Sequence, residues 1–177
     1  NDATISGATW TSEGKVGGAY DFKEDGVGDY ILANPISPQA DTEITVMAWI
    51  KPRPSADARA PISKIGGFYF QHYSDDRLAT YWYGWEDQGY HYSTVNSVPV
   101  NEWTHAAVTW NQENGVTFYI NGQENNQIEN NGTGTSTGNI RIGQESDSRR
   151  FNGTIDEFLM YNYSLSKEQI QENYKQA

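Results

Sequence analysis

Ten of the chain's 24 aromatic side chains fall in one stretch, Phe68 to Tyr92, reading FYFQHYSDDRLATYWYGWEDQGYHY, and most carry a hydrogen-bonding tip. A folding core favours Leu, Ile, Val and Phe. Tyr, Trp, His and Gln in alternation suit a surface that stacks flat ligands and hydrogen-bonds their edges, as sugar rings require. Turn-forming residues at 74–77 (SDDR) and 86–89 (EDQG) leave strands near 68–73, 78–85 and 90–95. Alternate residues of a strand face opposite sides. Phe68, Phe70 and His72 therefore share one face, and Tyr69, Gln71 and Tyr73 the other. In the second strand Leu78, Thr80 and Trp82 oppose Ala79, Tyr81, Tyr83 and Trp85. The face holding Phe68, Phe70 and Leu78 reads as core. Tyr69, Gln71, Tyr73, Tyr81, Tyr83 and Trp85 are then expected to form one exposed platform, with Trp82 and Arg77 kept as further ligand-binding candidates.

The chain's other reactive groups are sparse. Arg149-Arg150 offers planar donors suited to a carboxylated or sulfated sugar. Asp156 and Glu157 are adjacent, so on a regular strand they point to opposite faces. The same holds for Gln71 and His72. Ser, His and Asp are all present, but no motif joins them as nucleophile and base. His105 reads as a structural residue. There are no cysteines, so disulfides and thiolate metal sites are excluded.

The elements that carry these residues are short β-branched and aromatic runs punctuated by Gly, Asn, Asp and Pro, the pattern of an antiparallel all-β sandwich. A hairpin is predicted from Trp103 to Ile120, turning at Asn114-Gly115, with Asn121-Gly122 closing it. Ile44 to Ile50 (ITVMAWI) is apolar on both faces and reads as a central strand covered on both sides. Residues 125–139, rich in Asn, Gly and Thr, read as a solvated loop. One short helix is predicted over about Lys167 to Tyr174, because Ser166 to Gln169 matches a capping box and Leu165 and Ile170 a hydrophobic staple. At 177 residues the whole chain, 1–177, reads as a single domain. A net charge of -11, with the acids spread along the sequence, argues against nucleic acid or an anionic membrane as partner. No apolar run approaches the roughly 20 residues of a membrane-spanning helix.

Several phrases, in order, resemble the laminin-G-like, concanavalin A-like jelly-roll family: GKVGGAYDF at 14–22, DYI at 29–31, ITVMAWIKP at 44–52, EWTHAAVT at 102–109, FYINGQ at 118–123, IRIGQ at 140–144 and FNGTIDEFLMYNYSLSKEQI at 151–170. The resemblance implies a two-sheet antiparallel jelly-roll sandwich with one C-terminal helix. It also implies a structural calcium ion held by Asp25 and Asp156, with Asp29 as a third ligand, since carboxylate oxygens suit that ion. Fold alone does not assign function, because this sandwich carries lectins, adhesion domains, glycanases and lyases. Glycanases on it need two carboxylates sharing one face of a strand, and that pattern is missing here. The expectation is a non-catalytic, monomeric polysaccharide-binding module of a secreted or cell-surface protein. A protein-binding adhesive module is the alternative, and a lyase or glycoside hydrolase the third reading.

Overall fold

The computed structural model describes residues 3–24, 28–34, 43–55, 59–64, 67–82, 89–129, 138–146 and 149–177. In chain order the strands are β1 (Ala3–Ser6), β2 (Thr9–Thr11), β3 (Ala19–Phe22), β4 (Tyr30–Ala33), β5 (Glu43–Pro52), β6 (Arg59–Lys64), β7 (Phe68–His72), β8 (Leu78–Trp82) and β9 (Tyr90–Tyr92). They continue with β10 (Thr104–Asn111), β11 (Gly115–Ile120), β12 (Gln123–Ile128), β13 (Ile140–Ile142), β14 (Gln144–Ser146), β15 (Arg149–Arg150) and β16 (Gly153–Tyr161), and the chain ends in helix α1 (Lys167–Gln176). Two seven-stranded antiparallel sheets stack as a jelly-roll sandwich. Sheet A runs β1-β4-β13-β6-β7-β8-β9 and sheet B runs β12-β11-β10-β5-β16-β3-β2.

Alternation explains the layers. In β5, Ile44, Val46, Ala48 and Ile50 point between the sheets and join Phe22, Ile62, Phe68, Phe70, Trp110 and Phe118 in one buried cluster. Its other face, Met47 with Ala107 and Tyr119, is covered by Leu165 and Ile170. The second cover over β5 is therefore the chain's own C-terminal segment. That segment is pinned where Leu165 N–H donates to Thr45 Oγ1, whose hydroxyl in turn donates to the Tyr163 carbonyl. The capping box is present: Ser166 accepts from the Gln169 N–H while the Gln169 side chain accepts from the Ser166 N–H. A cap of this kind is worth about 1 kcal/mol.

The Asn121-Gly122 turn takes positive φ at both residues, 50° and 73°, as a tight hairpin needs. The hairpin before it turns at 111–115, where Asn111 Oδ1 receives the N–H groups of Glu113 and Asn114. The loop expected over 125–139 is corrected at its start: Asn125 to Ile128 belong to edge strand β12, with Ile128 opposite Val116. A half-exposed edge strand accepts a polar sequence, so composition hid it.

Gly143 sets the path of the chain beyond β13. Its φ of 88°, and a position where a Cβ would strike Phe22, leave room for glycine alone. There the chain leaves β13 and forms the small β14–β15 hairpin, which packs beside β6. Gly143 N–H donates to the Pro61 carbonyl, and Phe151 N–H donates to the Gly143 carbonyl, closing this excursion.

Candidate functional site

The outer face of sheet A is built by register. Leu32 pairs with Arg141, Arg141 with Ser63, Ser63 with Tyr69, Tyr69 with Tyr81 and Tyr81 with Tyr90, so these positions form one row across the sheet. Gln71, Ala79 and Tyr92 form the next row. Opposite members of a row stand about 5 Å apart, so Tyr69 to Tyr90 spans roughly 10 Å. The rings touch one another: Tyr69 and Tyr81 stack at 5.7 Å, Tyr81 and Tyr90 lie 5.1 Å apart, and Tyr73 meets Tyr92 edge-on at 5.5 Å. Tyr69, Gln71, Tyr73 and Tyr81 thus share one face, as alternation predicts.

Their exposure differs from the expectation of an open platform. Tyr69 is 5% exposed and Gln71 0%, while Tyr73, Tyr81, Tyr90 and Tyr92 are half-buried. The face is sheltered because β14–β15 brings Arg149 over Tyr69, 5.3 Å from the ring centre. Arg77, in the β7–β8 turn, lies 4.1 Å from the Tyr92 ring centre and 6.0 Å from that of Tyr73. Arg149 is also felt by Tyr73, so its guanidinium influences both neighbours of Gln71 along β7. Burial, then the hydrogen bond with Tyr92, pushes the Tyr73 phenol well above its ordinary range; Arg149 opposes that shift weakly. Asp75 holds Arg77 at 2.9 Å and Glu145 stands 3.6 Å from Arg149.

Gln71 is the chemically unusual member. Neither Nε2 nor Oε1 has a hydrogen-bond partner in the protein, although both are buried. A buried amide without a hydrogen-bond partner in the protein costs roughly 1–3 kcal/mol. On this face it supplies a donor and an acceptor between two rings.

Trp82 is corrected. Its ring lies between the sheets against Phe68 at 4.8 Å and Trp110 at 5.7 Å, 5% exposed, because it falls on the same side of β8 as Leu78 and Thr80. Tyr83 and Trp85 lie outside the described residues, as does Asp25. Tyr90 and Tyr92, absent from the sequence-derived set, join the face. Their alternation around His91 was legible, but only the pairing of β9 with β8 brings them beside Tyr81 and Ala79.

The acids expected to hold calcium have protein partners. Asp156 receives N–H groups from Val16 through Oδ2 and Glu157 through Oδ1, and Asp29 Oδ2 receives the Lys23 N–H. β16 is irregular here, with Glu157 at φ 46°, which lets Asp156 fasten the 14–18 loop. Among the described residues no three acidic or histidine side chains converge. On the opposite side of the sandwich His105 packs against Trp49 and Tyr174, and its Nδ1 has no protein partner. Burial holds this imidazole down at about 4. The ring is structural in position but not satisfied in hydrogen bonding. His72 faces the core, its Nε2 at 2.9 Å from the Val98 carbonyl, so it and Gln71 do not act together.

A two-sheet jelly roll with a ringed, sheltered outer face defines a lectin-like sandwich. The chain belongs to the concanavalin A-like lectin/glucanases superfamily, whose Laminin_G_3 model matches residues 25–171. No curated protein matches it by sequence. Among solved structures it is similar to the binding domain of Paraclostridial Mosquitocidal Protein 1, at 14% identity and TM-score 0.76, covering 99% of this chain and 47% of that one. It is similar to the ligand binding domain of botulinum neurotoxin serotype D, solved with N-acetylneuraminic acid, at 18% identity and TM-score 0.74, covering 99% and 46%. It is also similar to a Bacteroides ovatus protein proposed to bind carbohydrate, at 17% identity and TM-score 0.70, covering 87% and 46%. The chain thus spans less than half the length of these structures, and at such identities the likeness is one of fold.

Proposed function

We propose that this chain is a non-catalytic carbohydrate-binding module that holds a glycan on the outer face of sheet A, as part of a secreted or cell-surface protein. The observation that carries this reading is the row Tyr69, Tyr81, Tyr90 with the buried, unpaired amide of Gln71 beside it. Half-buried phenol rings give a glycan apolar faces to lie on, and their hydroxyls, with Gln71, give its hydroxyl groups partners. Each ring contact or hydrogen bond contributes about 1 kcal/mol. A handful of them corresponds to affinities between millimolar and micromolar.

Two of the structural neighbours support the reading: one was solved with N-acetylneuraminic acid and one is proposed to bind carbohydrate. The described carboxylates at the rim of this face each stand beside an arginine, Asp75 at 2.9 Å from Arg77 and Glu145 at 3.6 Å from Arg149. The test is binding to a panel of immobilised polysaccharides, comparing wild type with Tyr81→Ala. Retention of at least one polysaccharide, lost in the variant while its melting temperature is kept, supports the site. Unchanged retention in Tyr81→Ala refutes it.

A further inference from the structure

We propose that the outer face of sheet A selects an anionic glycan, one bearing carboxylate or sulfate groups, through Arg141 and Arg149. This rests on the glycan-binding reading above and adds the charge of the ligand to it. The first observation is how charge is distributed. The chain carries a net charge of -11, yet three of its arginines stand on or over the outer face of sheet A: Arg77 beside Tyr92, Arg141 in the tyrosine row and Arg149 over Tyr69. An acidic molecule repels polyanions at long range, so cations gathered on one face define where one can land.

The second observation is geometric. Ile140 and Ile142 point into the core, so Arg141 between them projects onto the outer face, in the row of Tyr69, Tyr81 and Tyr90. Its guanidinium lies over the ring of Tyr30, 4.9 Å from the ring centre. Arg141 Nε is buried with no hydrogen-bond partner, and no carboxylate pairs with this side chain among the described residues. Arg149 has Glu145 at 3.6 Å, longer than a hydrogen bond, and such partly exposed pairs contribute little. Its guanidinium can exchange that partner for a ligand anion at small cost.

The third observation is what the floor offers. Gln71 Nε2 and Arg141 Nε are buried donors without acceptors on one sheet face, and Arg149 lies over the ring next to Gln71. Carboxylates and sulfates are acceptor-only groups, and the planar guanidinium matches them with paired hydrogen bonds. A neutral glycan would leave Arg141 without an anionic partner.

The experiment is affinity electrophoresis through gels containing a neutral glucan, a polyuronate or a sulfated galactan, at low and at half-molar salt. Wild type, the Arg141→Gln/Arg149→Gln double variant and Tyr81→Ala are compared after their melting temperatures confirm folding. The expected result is retention by a polyanion, weakened on the order of tenfold in the double variant and also weakened by salt. Retention by polyuronate alone or by sulfated galactan alone assigns the anion and supports the proposal. Equal retention by neutral glucan, unchanged in the double variant but lost in Tyr81→Ala, overturns the anionic selectivity and leaves the glycan site standing. Binding to none of the three, or polyanion binding untouched in all variants, overturns both.

Discussion

Replacing Gln71 with methionine is expected to stabilise the free protein while weakening its hold on glycan. The side chain is fully buried, and both polar atoms of its amide lack partners in the protein. Keeping an amide in that state costs roughly 1–3 kcal/mol. Methionine has nearly the same length, no polar hydrogen-bonding requirement and enough flexibility to fill the gap between Tyr69 and Tyr73. The expected gain is about 1–2 kcal/mol. For a chain of this size each kcal/mol moves the melting temperature by about 2–4 °C, so Gln71→Met is expected to melt roughly 3–6 °C higher. The same substitution removes one or two hydrogen bonds to a bound glycan, a loss of about five- to tenfold in affinity. Calorimetry of the ligand-free proteins and affinity electrophoresis on the retaining polysaccharide measure the two effects separately. A lower melting temperature would show that the amide's hydrogen bonds are met within the fold. Unchanged affinity would show that no ligand uses them. Either result refutes the reasoning that Gln71 is held unpaired for a ligand.

Three further outcomes are expected. Trp82→Ala removes a ring packed on Phe68 and Trp110 and is expected to cost about 3–5 kcal/mol, seen as a melting temperature lower by about 10 °C, with glycan affinity of the folded fraction unchanged; the reverse pattern would return Trp82 to the binding face. Burial holds His105 at about 4 in the folded chain, below its unfolded value of about 6.5. Below pH 6.5 the unfolded state therefore takes up the proton first, and stability falls between pH 6.5 and about 4 by on the order of 1.4 kcal/mol per unit from this group. Denaturant titrations of wild type and His105→Gln over that range are expected to differ in slope, and identical slopes would remove His105 as the cause. A calcium ion held by Asp25 with Asp29 and Asp156 remains a proposal, for which added calcium is expected to raise the melting temperature and a chelator to reverse the rise. Equal melting in both conditions, with no metal by elemental analysis, would remove it.

What the sequence determined by itself was local. The period of two assigned Phe68, Phe70 and Leu78 to the core and Tyr69, Gln71, Tyr73 and Tyr81 to the other face, because strand geometry alternates side chains whatever lies beyond the strand. Ser166 to Gln169 specified the helix start for the same reason: the capping bonds close within four residues. Only the tertiary structure decided how deeply that face lies and what stands over it. Arg149 comes from β15, far along the chain from Tyr69, and reaches it because Gly143 lets the chain leave β13 and fold beside β6. The burial of Gln71 and the alignment of Arg141 with the tyrosine row have the same origin. Burial and cross-strand register depend on which distant strands pair, and no period within one strand records that.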